Sequence, residues 1–236
     1  MACFSFQPIG WIQSCFTEKF GIPRQPGLVP EARAFLTVIP PYDQREAFRG
    51  LDSFSHLWIL FVFHKCYEHP WKATVRPPRL GGNRRTGVFA SRSGFRPNPI
   101  GQSVVKLIGL QKKHGALRIE LSGADLLDGT PVLDVKPYLP YVDAIPDAAA
   151  GYAPDAPPIN FSVEFSPRAE QACGALDPTR YPDLKRLITG LLALDPRPAY
   201  REGNDPKLYG MRLWDLNVRF VFRQDRIVVT DIERPA

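Results

Sequence analysis

An almost unbroken apolar run, FSHLWILFVFH at Phe54–His64, stands out in the 236-residue chain. Aromatic and β-branched residues favour strands, and a run with so little polar alternation is typical of a strand buried on both faces. We therefore predict a central core strand here. Alternation along it places His56 and His64 on one side but roughly 26 Å apart, so these two side chains cannot share a metal ion. No metal site is predicted.

Shorter apolar segments on either side of this run have the length and composition of strands. They are 6–14, 33–39, 103–110, 116–122 and 132–138. Turn residues separate them, and no helical periodicity lies between them, which argues against a doubly wound fold. The prediction is a mainly β protein whose residues 1–145 form an N-terminal antiparallel β-barrel.

The pattern changes at Ala144–Pro158, a stretch rich in Ala, Pro and Asp that indicates a linker or domain edge. Leucine and isoleucine side chains at 184–192 then recur at helical spacing, and Pro182 is expected just inside the start of this amphipathic helix. Apolar runs at 214–231, interrupted by one turn, predict a hairpin. Residues 146–236 are therefore expected to form a smaller C-terminal α+β domain.

The loop GVFASRSGFRPNPIG at Gly87–Gly101 is dense in residues that restrict or extend backbone freedom. A short apolar strand is expected to enter it, and its two prolines and three glycines each favour particular torsions. Such a loop is suited to holding polar side chains in one geometry. The side chains concerned are Arg92, Ser93, Arg96 and Asn98. The alternative is a tight hairpin with a solvated tip.

Positive charge is concentrated in the middle of the chain, although the net charge is only +6. No acidic residue lies between Glu68 and Glu120, a stretch that contains eleven lysines and arginines. Like charges at this density repel one another unless an anion is near, so the stretch predicts a polyanionic partner whose binding weakens with salt. Acidic residues elsewhere in the fold are the alternative source of neutralisation.

Several classes of protein are disfavoured by features that the sequence lacks. It has no apolar run of roughly 18 residues and no secretory leader pattern, so no membrane partner is expected. Its four cysteines are scattered, which indicates reduced thiols and a cytoplasmic protein. The Gly-x-Gly-x-x-Gly signature is missing, which disfavours a Rossmann-type nucleotide site.

Five separated blocks, distributed over nearly the whole chain, carry a resemblance to a known family. The blocks are Glu18–Gly27, Phe54–His64, Gly87–Gly101, Asp128–Tyr138 and Asp195–Tyr200. With them the chain resembles the TrmO (TsaA-like) family of β-barrel tRNA (adenine(37)-N6)-methyltransferases. The resemblance implies S-adenosyl-L-methionine as the cofactor and N6 of N6-threonylcarbamoyladenosine at position 37 of tRNA as the methyl acceptor. It further implies the tRNA anticodon stem-loop as a partner and a homodimer.

The same resemblance assigns cofactor-binding positions at the barrel edge. Carried over by motif, they are Gln25, Pro26, Gly27, Phe63, His64, Arg92, Gln102, Gly123, Ala124, Asp125 and Leu126. Arg92 has the chemistry to form a bidentate pair with the methionyl carboxylate, and Asp125 can accept a hydrogen bond from an amino or hydroxyl group. From the residues alone, His64 can equally cap a strand end, and Asp125 can equally be a turn residue.

Residues that would face the acceptor base or the RNA come from two parts of the chain. Asp134, Lys136 and Tyr138 share one face of their strand, and Asp134 and Tyr138 are the catalytic candidates for accepting the N6 proton. A solvent-facing strand explains the same alternation. The predicted RNA contacts, made mostly to phosphates, are Arg76, Arg79, Arg84, Arg85, Arg96 and Lys136.

The predicted function is therefore S-adenosylmethionine-dependent tRNA methylation, and two other functions stay open. One is a methyltransferase of the same fold that acts on a small molecule, which would bind the cofactor without salt-sensitive binding of tRNA. The other is a non-catalytic RNA-binding protein, in which replacing Asp134 or Tyr138 would leave function unchanged.

Overall fold

The structure is a computed structural model that describes residues 4–113, 115–159, 161–197 and 207–234. The N-terminal strands are β1 (Gly10–Ser14), β2 (Ala34–Val38), β3 (His56–Val62), β4 (Thr74–Val75), β5 (Thr86–Gly87), β6 (Ile100–Lys113), β7 (Ala116–Ser122) and β8 (Pro131–Pro137). The remaining elements are α1 (Pro140–Asp143), β9 (Ser162–Phe165), α2 (Pro167–Gly174), α3 (Leu184–Ala193), β10 (Leu208–Leu213), β11 (Leu216–Arg223) and β12 (Arg226–Glu233). Residues 198–200 of the last resemblance block lie outside the described ranges.

Six of the N-terminal strands close into an antiparallel barrel in the order β1-β2-β7-β6-β3-β8. Pairing of Gly10 with Val132 and of Trp11 with Pro131 joins β8 back to β1. Register shifts at Leu60/Phe61 in β3 and in β6 add the local bends that a closed sheet needs. The predicted antiparallel barrel is confirmed, and β3 pairs with β6 on one side and β8 on the other.

One part of the prediction for β3 is wrong, because only one of its faces is fully buried. Leu57, Ile59 and Phe61 point into the barrel core, whereas the alternating residues between them are half-buried on the outside. A closed barrel encloses only its inner face, so apolar residues on the outer face need another cover. Trp58 obtains part of that cover from α1, where its Nε1 donates to Asp143 Oδ2 at 3.0 Å.

The C-terminal strands form a separate four-stranded sheet in the order β10-β11-β12-β9, in which β9 runs parallel to β12. The predicted hairpin is confirmed as β11 and β12, and the predicted helix as α3. That helix begins at Leu184 after an Asp183 cap, so Pro182 precedes the helix instead of lying inside its first turn. None of the helices among the described residues combines the length and apolarity needed to cross a membrane.

Each sheet has its own hydrophobic core, but the second core also takes residues from the N-terminal part of the chain. Phe16, Val29 and Ala32 are buried among the side chains of α3 and β10–β12. Phe16 also bridges to Leu213 in antiparallel fashion. The predicted domain boundary at 145/146 stays a prediction, and the loop between β1 and β2 packs across it.

The described part of the last resemblance block anchors this loop to the second sheet. Arg197 is almost fully buried, pairs with Asp195 at 2.8 Å, and stacks its guanidinium 3.6 Å from the Phe222 ring centroid. Arg24 of the β1–β2 loop donates to the Arg197 carbonyl oxygen at 3.0 Å. A buried arginine that is both paired and stacked holds its backbone in place, so Arg24 is bound to a fixed carbonyl.

Replacing Phe16 by alanine is expected to destabilise the fold by about 3–5 kcal/mol, because the ring is completely buried where the loop meets the second core. The measurement is urea denaturation followed by circular dichroism. Phe4→Ala is the matched control: its ring is 80% exposed, and its effect should stay within about 0.5 kcal/mol. Equal effects of the two substitutions would contradict the packing of Phe16.

Candidate active site

A cleft of about 680 Å³ opens at the end of β3, on the edge of the barrel. Its lining comes from five short parts of the chain, 19–25, 61–66, 91–96, 100–103 and 125–130. These parts belong to the β1–β2 loop, the end of β3, the loop before β6, the start of β6 and the turn after β7. The fold thus brings distant segments together at one site.

The floor of the cleft is aromatic. The rings of Phe61 and Phe63 meet edge to face with centroids 4.9 Å apart. Gly94 and Gly101 pass so close to these rings that a side chain would not fit: a Cβ at Gly94 would lie 2.7 Å from Phe63 Cγ, and a Cβ at Gly101 would lie 2.8 Å from Phe63 Cε2 and overlap Phe61. Glycine is needed at both positions for this close approach.

The loop between β5 and β6 is held by hydrogen bonds within itself. Arg96 donates to the carbonyl oxygens of Val88 and Ser91 at 3.1 and 2.8 Å, and the Ser91 hydroxyl donates to Val88 at 2.8 Å. These bonds favour the fixed geometry over a solvated tip. The prediction of an apolar strand at its entrance is wrong: β5 has two residues, and a 3-10 turn at Val88–Ala90 follows it. Pro97 and Pro99 then restrict the chain up to β6.

Charged and polar groups surround the mouth of the cleft. Arg92 is exposed and donates to the Gln25 Oε1 atom across the opening. His64 lies in the turn that follows β3, where partial burial, followed by the charges of Lys65 and Lys19, lowers its pKa below the ordinary value. His64 is therefore a neutral ring at pH 7, able to donate through one nitrogen and accept through the other.

Asp125 is the one carboxylate among the described residues that line the cleft. Ser103 donates its hydroxyl to Asp125 Oδ1 at 2.7 Å. Burial raises the pKa of Asp125 to about 6, although the Ser103 hydrogen bond and the charge of Arg92 both act in the opposite direction. A half-buried carboxylate in a cleft, beside a cation and a hydroxyl, is a candidate ligand-binding group.

The structure divides the predicted cofactor residues into two groups. Those that line the cleft are Gln25, Phe63, His64, Arg92, Gln102, Asp125 and Leu126, and those that do not are Pro26, Gly27, Gly123 and Ala124. Members of the second group bring loops together: the Gly27 amide donates to the Gly123 carbonyl oxygen at 2.8 Å, and Ala124 is fully buried. The cofactor roles of both groups stay predictions.

Sequence analysis did not single out Phe61 or Ser103 as site residues. Ser103 faces the barrel interior and is 2% exposed, on a strand whose neighbouring inward positions are apolar. A serine at an inward position of a predicted strand could have indicated a site residue, because a buried hydroxyl needs a hydrogen-bond partner. Phe61 had no such signal, since an inward aromatic ring is ordinary core.

The catalytic candidates lie away from the lining of the cleft. Asp134 is 47% exposed on the outer face of β8 and pairs with Lys136 at 3.0 Å. The Tyr138 ring packs against His56 and Trp58, with centroids 6.4 and 6.0 Å away. Their shared strand face therefore points outward from the barrel, and their catalytic roles stay predictions.

The acid-free stretch does not form one basic patch. Arg76, Arg79, Arg84 and Arg85 are exposed on the loops around β4 and β5, beside the cleft. Arg96 is engaged within its loop. Lys72 lies over the Phe95 ring, and Arg92 donates to Gln25 at the mouth of the cleft. The barrel strands carry the remaining four cations of the stretch, at 106–118.

Among the described residues, no group of three or more His, Cys, Asp or Glu side chains is arranged to hold a metal ion. Cys66 lines the cleft, and its thiol is free, as are those of Cys15 and Cys173.

Family profiles match both halves of the chain. The profile of the tRNA-methyltransferase O N-terminal domain matches residues 11–144, and that of the TrmO C-terminal domain matches residues 158–235. The chain belongs to the TrmO family. The first profile covers the barrel from residue 11 onward and every segment that lines the cleft, so the cleft lies in the part of the chain that matches the N-terminal domain of the family.

Relatives and solved structures agree with this membership. The chain is 52% identical to the tRNA (adenine(37)-N6)-methyltransferase of Escherichia coli K12 over 93% of its own length and 94% of the relative's. It is also 52% identical, over 97% of each chain, to a Pseudomonas aeruginosa protein that carries the provisional name of S-adenosylmethionine-dependent methyltransferase RcsF. A crystal structure of TrmO from Pseudomonas aeruginosa superimposes with a TM-score of 0.80 at 44% identity and covers 98% of this chain and 100% of that one.

Proposed function

We propose that this TrmO-family chain transfers a methyl group from S-adenosylmethionine to N6 of N6-threonylcarbamoyladenosine at position 37 of tRNA. The observation that carries the proposal is one cleft in which an aromatic floor, the exposed Arg92 and the half-buried Asp125 face the same space. A relative of 52% identity named tRNA (adenine(37)-N6)-methyltransferase supports the reaction class. The threonylcarbamoyl group on the acceptor base is proposed from the family resemblance alone.

The side chains of the cleft fit the chemistry of S-adenosylmethionine. Arg92 can bind the carboxylate of the methionyl end through two parallel hydrogen bonds. Asp125 can accept a hydrogen bond from the methionyl amino group or from a ribose hydroxyl. The rings of Phe61 and Phe63 offer an apolar surface for the adenine. When bound, the cofactor supplies an electrophilic methyl group.

Catalysis in this proposal depends mainly on alignment. The glycines at 94 and 101 let the loop and β6 approach the aromatic floor, so the cleft keeps one shape into which donor and acceptor fit in line. Asp134 and Tyr138 remain candidates for accepting the N6 proton, and they require the base to reach the outer face of β8. The exposed arginines at 76, 79, 84 and 85 would attract the phosphates of the anticodon stem-loop.

Two further properties of the proposal follow from the family resemblance. A homodimer is proposed, which light scattering coupled to size-exclusion chromatography would detect. A cytoplasmic location is proposed as well, because the reaction needs tRNA and the cofactor in the same compartment.

Mass spectrometry of tRNA nucleosides tests the proposed function directly. Purified protein is incubated with S-adenosylmethionine and with tRNA that carries or lacks the threonylcarbamoyl group on A37. The expected result is a gain of one methyl group on the modified nucleoside only. Methylation of a small molecule but not of tRNA would favour the alternative methyltransferase, and salt-sensitive tRNA binding with no methyl transfer would favour a non-catalytic RNA-binding protein.

Replacing Gly101 by alanine is expected to weaken cofactor binding about tenfold, because the new methyl group would push the Phe61 and Phe63 rings into the cleft. Isothermal titration with S-adenosylmethionine measures the change. Gly109→Ala is the matched control on the same strand, where a Cβ would meet no atom within 4 Å. Wild-type affinity in Gly101→Ala would show that the ring floor is not part of the cofactor site.

A further inference from the structure

A second groove, of about 1050 Å³, continues outward from the cleft. The residues shared by both are Lys19, Arg24, Gln25, Phe63, Ser91 and Arg92. Beyond them, the groove is lined by residues 75–79 and 89–93 and by residues 150–157. The segment that connects the two sheets is therefore a wall of the groove and not only a linker.

A hydrogen bond holds this wall in place. Arg79 donates through Nη2 to the carbonyl oxygen of Asp155. The bond joins the loop that follows β4 to the connecting segment, and both ends of the bond belong to the groove lining. Tyr152, on the same segment, is 37% exposed and lines the groove.

The charge of the groove favours an anion. Its described lining contains five cationic side chains and a single acidic one, Asp155. The cations are Lys19, Arg24, Arg76, Arg79 and Arg92. Such an excess of positive charge attracts phosphate, and it adjoins the cleft through the lining residues that the two share.

Two aromatic side chains are exposed inside this positive groove. Phe89 is 72% exposed, an unusual state for a phenylalanine, and the Arg96 guanidinium lies 5.4 Å from its ring centroid. Tyr152, on the connecting segment, provides the second ring. Exposed rings within a cationic groove are the arrangement by which proteins bind unstacked bases, since each ring replaces a stacking neighbour in the RNA.

We propose that this groove binds the anticodon loop beside the acceptor base: an unstacked nucleotide of the loop rests on Phe89 and Tyr152 while Arg76 and Arg79 bind its flanking phosphates. The inference rests on the proposed function, because it takes the adjoining cleft as the cofactor site. A base that enters a pocket must first leave its stack, and the two rings offset that loss. The connecting segment is thereby assigned a role in substrate binding.

Fluorescence anisotropy with a labelled anticodon stem-loop RNA, at saturating S-adenosylhomocysteine, tests the assignment. Phe89→Ala and Tyr152→Ala are each expected to raise the Kd for RNA about tenfold through lost stacking. The slope of log Kd against log salt should stay unchanged, because neither substitution removes a phosphate contact. Arg76→Gln should instead lower that slope by about one.

Matched controls separate stacking from general damage. Phe6→Ala and Tyr141→Ala remove rings that are 70% and 85% exposed outside the groove, and they should leave the Kd for RNA within twofold of wild type. Tyr152→Phe keeps the ring and should bind nearly as wild type does. The Kd for S-adenosylmethionine should be unchanged in every variant of this set.

The assignment is overturned if Phe89→Ala and Tyr152→Ala bind RNA as tightly as the controls do, or if they weaken cofactor binding as much as RNA binding. It is also overturned if the wild-type protein does not bind the RNA. Failure of the proposed function has a different signature: no methyl group appears on tRNA although the wild-type protein binds the stem-loop and the groove variants weaken that binding.

Discussion

Asp125→Asn is expected to make the folded protein more resistant to urea at pH 7.5 while weakening its binding of S-adenosylmethionine. The pKa of Asp125 is about 6 in the folded chain, against an ordinary 3.8, because burial disfavours the ionised carboxylate. Ionising it above pH 6 therefore costs about 3 kcal/mol of folding free energy, and asparagine avoids that cost. Affinity should fall about 10- to 100-fold, because a neutral amide replaces a charged acceptor.

The sign of the pH dependence follows from the raised pKa. Between about pH 4 and pH 6 the folded protein holds a proton on Asp125 that the unfolded chain has released, so wild-type stability falls as pH rises through this window. Urea denaturation at pH 4.0 and pH 7.5 measures the free energy of unfolding. The excess of Asp125→Asn over wild type in this free energy is expected to be larger at pH 7.5. Asp134→Asn, on an exposed strand face, should differ from wild type by no more than about 0.5 kcal/mol. A difference for Asp125→Asn that does not grow with pH would contradict the buried carboxylate.

Arg92→Ala is expected to raise the Kd for S-adenosylmethionine about 10- to 100-fold with little change in folding stability. The guanidinium is exposed at the mouth of the cleft, so the fold does not depend on it. In the proposed function it is the cation that binds the methionyl carboxylate. Isothermal titration measures the affinity. Arg92→Lys should recover only part of it, because an ammonium group cannot form the planar pair of hydrogen bonds.

Arg84→Ala is the control for this prediction. Arg84 is exposed on the loop after β4, carries the same charge and lines neither the cleft nor the adjoining groove. Its replacement should leave cofactor affinity unchanged. If the two alanine variants weaken cofactor binding equally, Arg92 acts through general charge and not through a direct contact. Removing Arg92 also removes a charge that lowers the pKa of Asp125, so that pKa should rise further.

Sequence patterns predicted the elements whose signal is local. β3 and the hairpin β11–β12 were evident because long β-rich runs are flanked by turn residues, and α3 because its apolar residues recur at helical spacing. The four-residue β9 and the six-residue β10 were not predicted. Segments of that length carry little pattern, and β9 pairs in parallel with a strand some sixty residues further along.

The cofactor candidates came from the family resemblance, and the structure shows which of them share one cleft. Sequence alone could not separate Asp125 from Gly123, its neighbour two positions away, because one lines the cleft and the other supports a loop. Asp134 and Tyr138 illustrate the converse. Alternation correctly placed them on one face of β8, but only barrel closure decides that this face points outward.

The sequence by itself therefore determined the mainly β character, the succession of short strands and the clustering of cations before β6, because these depend on composition and on periods of a few residues. Only the tertiary structure decided that the β1–β2 loop completes the second core, that five distant segments meet at one cleft, and that the connecting segment walls a second groove. The physical reason is that contacts between distant segments depend on how the chain closes and packs, and no local pattern of residues encodes that closure.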